Sequence, residues 1–256
     1  MMKPKDEKLT VEQRLLSYIE PFHEHGWITH VISQVKSGKE ATIFCCEAHP
    51  DTGHHLLAAK VYRPVDMRSF KNDAVYQRGR QRAGKADMRT LRAMETGSRG
   101  GRNAKFQQWV GHEAKTLKLL SRTDADVPQP IAQIGPAILM SYIGDRESPA
   151  PMLYGLTFDQ QEAEVLFDRL ISNIKLFLQH HRIHGDLSPY NILYWEGKPV
   201  IIDFPQSVDP RFNETAEQLL ARDVEYVAEY VASFGVDRDA EAISTDLWHR
   251  YRTARL

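Results

Sequence analysis

Residues 184–204 read HGDLSPYNILYWEGKPVIIDF, and within them Asp186, Asn191 and Asp203 stand five and twelve positions apart among apolar and turn-forming residues. Taken singly, each has a plain structural reading: Asp and Asn favour turns, and an Asp can end a strand. Taken together they say more. ILYW and PVII are short apolar runs separated by Glu196-Gly197-Lys198, which predicts a hairpin. That hairpin returns the chain, so Asp203, at the end of a buried strand, comes back beside the loop that carries Asp186 and Asn191. Three side-chain oxygens then converge.

Outward from this stretch the chain alternates between strand and helix patterns. Residues 9–25 carry Leu15, Leu16 and Ile19 at helical spacing; Thr10 with Gln13 three places on predicts a capping box, and Gly26 ends the helix. ITHVISQV, ATIFCCEA and HLLAAKVY follow as β-branched-rich runs separated by KSGKEA and HPDTGH, an antiparallel meander. Residues 66–105 hold eleven Lys or Arg against four acids, with five glycines, and read as a flexible basic insertion. A helix over 106–123, two short strands in VPQPIAQIGPAILMSYIG, an amphipathic helix within 156–181 capped by Thr157 or Asp159, and a helix over 213–233 ended by Gly235 complete the pattern. The strands fall in the first half and the helices mainly in the second. The expectation is a bilobal α+β protein with a cleft between its lobes.

Bulk properties exclude several classes. The chain has 256 residues, 42% hydrophobic and 26% charged, with a formal net charge of -1. Whole-chain charge therefore gives no argument for a nucleic-acid binder. No apolar run is long enough to cross a membrane, and the polar MMKPKDEKLTVEQ lacks an apolar signal core. The two cysteines, Cys45 and Cys46, are adjacent, a poor geometry for a disulfide, so a reduced cytoplasmic protein is expected. His54-His55 and His180-His181-His184 match no zinc pattern.

The convergent oxygens suit phosphoryl transfer. Magnesium takes oxygen ligands and keeps waters, so Asn191 and Asp203 can hold it beside phosphates, and Asp186 can face an attacking hydroxyl. A cation for the phosphates is also needed. Lys60 lies inside the apolar LAAKVY, where an ammonium needs an anion to offset its desolvation. Glu113, in WVGHEAKTL, is a candidate counter-ion, with Glu95 as an alternative. SGKEAT, residues 37–42, joins two strands; backbone N–H groups of such a turn can cradle phosphate, with Ser37 and Lys39 adding contacts. It has one glycine rather than three, and strand pattern follows it where a P-loop needs a helix.

With these parts in view, the sequence resembles the RIO family of atypical serine/threonine protein kinases over about residues 28–232. The resemblance rests on SGKEATIF, AAKVYRP, LMSYIG, HGDLSPYNIL, IIDFPQSVDP and LLARDVEYVAEYV; 27 residues precede Ile28, as in the branch without an N-terminal winged helix. It implies a reduced protein-kinase-like fold without an activation segment. The N-terminal extension would be 1–27, the N-lobe 28–140 with the insertion at 66–105, and the C-lobe 141–256. It implies ATP and Mg²⁺, or Mn²⁺, as cofactors. Lys60 would contact phosphates; Met140, Ser141 and Ile143 would line the adenine site at the hinge; Asp186 would be the catalytic base; Asn191 and Asp203 would hold the metal, and Asp203 could itself accept phosphate. Pro189 and the pair Phe204-Pro205 depart from the family pattern.

Three activities follow as expectations. The first is an autophosphorylating protein kinase. The second is an ATPase switch in small-ribosomal-subunit maturation, with 66–105 contacting RNA or a ribosomal particle. The third, a small-molecule phosphotransferase, shares the Asp-to-Asn spacing but is opposed by the single-glycine loop and DFPQSVDP.

Overall fold

In the computed structural model, residues 10–63 and 99–256 are described. The chain divides into two compact units: residues 10–63 with Ile131–Tyr142, and residues 99–130 with Ile143–Leu256. The helix at 99–120 thus groups with the second unit, whereas the sequence boundaries assign it to the N-lobe. Most of the basic insertion lies outside the described residues.

The first unit opens with α1 (Val11–Ser17), where the expected capping box is present: Gln13 N–H donates to Thr10 Oγ1 and Thr10 N–H to Gln13 Oε1. The single helix expected over 9–25 is two, with α2 at Glu20–Glu24. Pro21 has no N–H to continue α1 but suits the first turn of a new helix. Strands β1 (Ile28–Ser37), β2 (Ala41–Ala48), β3 (Leu56–Tyr62), β4 (Pro130–Ile134) and β5 (Ala137–Ser141) form one sheet in the order β1-β2-β3-β5-β4. The first three are the expected antiparallel meander. Alternation sends Phe44, Cys46, Leu57, Ala59, Val61, Ala137 and Leu139 to one face, where they pack with Leu15, Ile19 and Phe22 of the two helices. The opposite face of β3 carries Ala58, Lys60 and Tyr62 and is also buried. Burial on both faces explains why LLAAKVY reads as a nearly continuous apolar run.

The second unit is built on α3 (Arg99–Leu120), α4 (Gln160–Gln179), α5 (Ala216–Ala232) and α6 (Ala240–Arg252). Asp159, not Thr157, caps α4, in a box with Glu162. Leu166, Phe167, Leu170, Ile174 and Phe177 form its buried stripe, at the spacing of one helix face. Strands β6 (Ile192–Trp195) and β7 (Lys198–Ile201) form the expected hairpin. Its turn is Glu196-Gly197 alone, both with positive φ (49° and 77°), the left-handed pair that matches strand twist. Helix α6 was not anticipated from the sequence. It buries only Ser244 and Leu247, too thin a stripe to show as a period. Among the described residues no helix is long and apolar enough to cross a membrane.

Candidate active site

The loop between α4 and β6 begins at Ile183, whose N–H and C=O both bond Val208 (3.0 and 2.9 Å). Gly185 follows with φ 79°, a conformation glycine adopts without steric cost. Its N–H donates to Asp223 Oδ2 at 2.8 Å, and Leu187 N–H donates to Asp223 Oδ1 at 3.0 Å. The two amides flanking Asp186 are therefore held by one carboxylate from α5, which is almost wholly buried. Burial pushes Asp223 up to about 7, against the lowering effect of the two N–H groups and Arg222. The Arg222 guanidinium donates to the Gly185 carbonyl.

Asn191 reaches back along this loop: Nδ2 donates to the Asp186 carbonyl at 2.8 Å and lies 3.4 Å from Asp186 Oδ2. Pro189 opens the single 3₁₀ turn Pro189–Asn191, a place where fixed φ and a missing N–H are tolerated. The unusual proline thus fits the loop. The return of the hairpin is equally well fixed. Ile202 N–H donates to the Asn191 carbonyl at 2.9 Å, and His184 Nε2 lies 3.0 Å from the Ile202 carbonyl. Because Asp186 N–H points at His184 Nδ1 (3.3 Å), that nitrogen is the acceptor and Nε2 carries the proton. His184 is thus a strut between the loop and the residue before Asp203.

Asp203 is not the last residue of a strand, as the sequence suggested. β7 ends at Ile201, and Asp203 stands two residues later with φ 71°. A left-handed aspartate costs about 1 kcal/mol or more and persists only where its surroundings hold it. They do so through Phe204, which is fully buried, packs on His184 and Phe177 at centroid distances of 4.7 and 5.5 Å, and donates its N–H to Glu113 Oε1 at 3.1 Å. Further on, Ser207 accepts from His112 Nε2 through its carbonyl (2.7 Å), and its hydroxyl lies 3.0 Å from the same nitrogen and 3.2 Å from Thr116 Oγ1.

Asp186, Asn191 and Asp203 therefore come together. Burial and then the Asp203 charge raise the Asp186 carboxyl above its ordinary range, while Arg222 and the Asn191 hydrogen bond pull it down. Two carboxylates held in mutual repulsion, with the Asn191 carboxamide hydrogen-bonded to Asp186, are residue types that fit a hard divalent cation. Glu113 is nearly fully buried, and the Phe204 amide is one of its partners.

In the first unit, Lys60 is buried at 8% exposure, so a solvent-facing strand lysine is ruled out. Its Nζ lies 4.9 Å from the centre of the Tyr62 ring. The turn at 37–42 is tight: Gly38 N–H donates to the Ala41 carbonyl at 2.8 Å, and the Ser37 hydroxyl accepts from Arg63 Nη2 at 2.6 Å. Lys39 in that turn is exposed. Met140 is buried, and Ser141 ends β5 opposite Leu57. In the second unit, the Ile143 carbonyl accepts from Ala150 N–H at 3.0 Å.

Reading the residues alone missed Asp223, His184 and the His112–Ser207 contact. Asp223 left a signal: in LLARDVEYV it occupies a core position on the stripe of Leu219, Leu220, Val224 and Val227. A charge there needs partners.

Comparison with known proteins identifies the family. A family model described as RIO domain matches residues 42–243. Serine/threonine-protein kinase RIO1 of Chaetomium thermophilum is 31% identical over 221 residues, 82% of this chain and 41% of that protein. RIO-type serine/threonine-protein kinase Rio1 of Thermoplasma acidophilum is 29% identical over 192 residues, 75% of this chain and 93% of that protein. The chain spans less than half the length of the C. thermophilum relative. The crystal structure of the Rio2 kinase-ADP/Mg²⁺-phosphoaspartate complex from C. thermophilum superposes with a TM-score of 0.63 at 21% identity, covering 95% of this chain and 70% of that one. At that identity the likeness speaks for the fold, which is α+β and protein-kinase-like. The family match, extending over most of the chain and across every element that carries Asp186, Asn191 and Asp203, establishes that this chain belongs to the RIO domain family.

Proposed function

We propose that this chain is an ATP- and Mg²⁺-dependent serine/threonine protein kinase that also phosphorylates itself. The observation that carries this reading is the mutual placement of Asp186, Asn191 and Asp203, with Asp186 raised in basicity by burial and by its acidic neighbour. The names of the relatives agree with it.

Asp186 accepts the proton of the attacking hydroxyl as that oxygen bonds the γ-phosphorus and the bond to the β–γ bridging oxygen breaks. Asn191 and Asp203 are the residues that would hold Mg²⁺, which when bound offsets the negative charge of the phosphates. Asp223, Arg222 and His184 keep the loop in place. Lys60 is assigned to the phosphates, Ser37 and Lys39 to the phosphate turn, and Met140, Ser141 and Ile143 to the adenine side. Glu113 is assigned to positioning the Phe204 backbone and through it Asp203.

The test is transfer of label from γ-labelled ATP. Asp186→Ala should abolish labelling of the protein while calorimetry still detects Mg-ATP binding. Equal labelling in variant and wild type would refute the assignment.

A second reading is an ATPase that passes through a phosphoaspartate. It is favoured by the phosphoaspartate in the C. thermophilum Rio2 complex and by the left-handed backbone of Asp203. On this reading an Asp203 oxygen bonds the γ-phosphorus as the bond to the β–γ bridging oxygen breaks and ADP leaves, and water later cleaves the acyl phosphate to return the carboxylate and release inorganic phosphate. Label that hydroxylamine removes would support it, and label confined to acid-stable phosphoserine would count against it. A ribosomal particle or RNA as partner through residues 66–105 remains part of this second proposal, tested by whether such particles change the ATP hydrolysis rate.

A further inference from the structure

Strand β1 is an edge of the first unit's sheet, and its pairing with β2 shifts register three times. The last shift decides where a lysine points. Gln34 faces Phe44, whereas Lys36 faces Ile43 and Ser37 faces Thr42. An undisturbed antiparallel ladder running on from Gln34 and Phe44 would set Lys36 against Thr42. Between the two registers β1 carries one extra residue, a β-bulge at Gln34–Lys36. Because side chains alternate between faces, one added residue sends those that follow to the other face.

The neighbouring strands show which faces these are. Thr42 pairs with Val61, and Val61 lies in the core that packs on α1 and α2. Thr42 is fully buried. The Ser37 hydroxyl lies 3.4 Å from that of Thr42 and accepts from Arg63 Nη2 at 2.6 Å. Ser37 is therefore turned to the helix-covered face, and its hydroxyl is engaged there. Lys36 takes the opposite face. On it, Lys36, Ile43, Lys60 and Ile138 are successive partners across β1, β2, β3 and β5, one cross-strand row. Two strand spacings set the Cα atoms of Lys36 and Lys60 roughly 10 Å apart, and their flexible stems let both ammonium groups meet one polyphosphate. Lys60 is buried within the row, and Lys36 is exposed at its end, next to the turn at 37–42. Without the bulge Lys36 would stand behind the sheet with Thr42, on the wrong face for any phosphate that Lys60 holds.

We propose that Lys36 is a second cation for the nucleotide's phosphates, aimed at them by the bulge in β1. This rests on the nucleotide site proposed above and adds to it a residue that the pattern of the turn does not identify. Edge lysines also discourage sheet-to-sheet pairing, and the two roles give different results.

Calorimetry of Mg-ATP and of adenosine on the full chain separates them. Lys36→Ala should weaken Mg-ATP binding roughly three- to fivefold at low salt, the worth of one exposed ion pair, and the difference should shrink as salt rises. Adenosine carries no phosphate and should bind variant and wild type alike. Lys36→Arg should stay near wild type, and Lys36→Glu should fall below the alanine variant. Lys118→Ala, which removes an exposed lysine of α3, should match wild type. At saturating ATP the self-labelling rate of Lys36→Ala should hold, placing the loss in KM. Unchanged Mg-ATP affinity in Lys36→Ala overturns the proposal. An equal loss for adenosine also overturns it, since that marks a distorted sheet rather than a lost phosphate contact. Normal Mg-ATP affinity with new self-association in gel filtration assigns Lys36 to edge protection instead. If wild type binds neither Mg-ATP nor adenosine, the nucleotide reading itself has failed, and the assignment of Lys36 falls with it.

Discussion

Replacing Asp223 with alanine should cost more stability than replacing any residue assigned to chemistry. The carboxylate accepts from Gly185 N–H at 2.8 Å and Leu187 N–H at 3.0 Å, with no appreciable solvent access. Alanine leaves both donors buried and unpaired, at about 1–3 kcal/mol each, so the expected loss is about 2–6 kcal/mol. That is a large part of the about 5–15 kcal/mol that keeps an ordinary domain folded. Asparagine keeps one acceptor and turns an N–H₂ toward the other amide, so Asp223→Asn should lose a comparable fraction. The assay is urea unfolding followed by circular dichroism, with ATP-dependent labelling measured on the folded fraction. Labelling should fall as well, because the two amides released are those flanking Asp186. There is also a pH arm. Burial raises Asp223 to about 7 from an ordinary 3.8, so the fold binds its proton more tightly than the unfolded chain does. Its contribution is therefore complete below about pH 4 and is lost as pH rises through about 7. The asparagine variant does not titrate there, so the stability gap between wild type and Asp223→Asn should narrow as pH rises through that window. An alanine variant whose unfolding midpoint and labelling rate both match wild type would refute the account of how the loop is held.

Three other outcomes follow from the same geometry. Asp186 titrates above its ordinary range, and a general base must be ionised, so kcat/KM should fall as pH drops through that raised value; a profile flat down to the ordinary carboxylate range would contradict the assignment. In metal-free protein, Asp203→Ala removes one of the causes that raise Asp186 and should lower its pKa, read by carboxyl-carbon NMR; an unmoved value would show that the two side chains are not electrostatic neighbours. Glu113→Ala strands the buried Phe204 N–H, which Glu113 accepts at 3.1 Å, and should cost about 1–3 kcal/mol in unfolding together with weaker Mg-dependent nucleotide affinity by calorimetry. Glu113→Gln, which retains a carbonyl acceptor, should recover most of the unfolding loss.

How much of this could be read before folding depends on the range of each interaction. The Thr10–Gln13 and Asp159–Glu162 boxes, the Glu196-Gly197 turn and the meander of 28–62 rest on contacts within a few residues or on a two-residue period, and both are written along the chain. The spacing of Asp186, Asn191 and Asp203 was legible for the same reason, since one hairpin links them. Tertiary structure decided the rest. Nothing adjacent to Asp203 announces a left-handed backbone, which follows from Phe204 burying its ring against His184 and Phe177 and sending its N–H to a glutamate ninety-one positions earlier. The place of Asp223 on a core stripe signals that it needs partners, but only the fold shows that those partners are the Gly185 and Leu187 amides. Nothing in KSGKEA tells which face Lys36 takes; the pairing of β1 with β2 sets it. Local hydrogen bonding and periodic burial belong to the sequence; which polar groups share a dry interior, and so which charges shift one another, belongs to the fold.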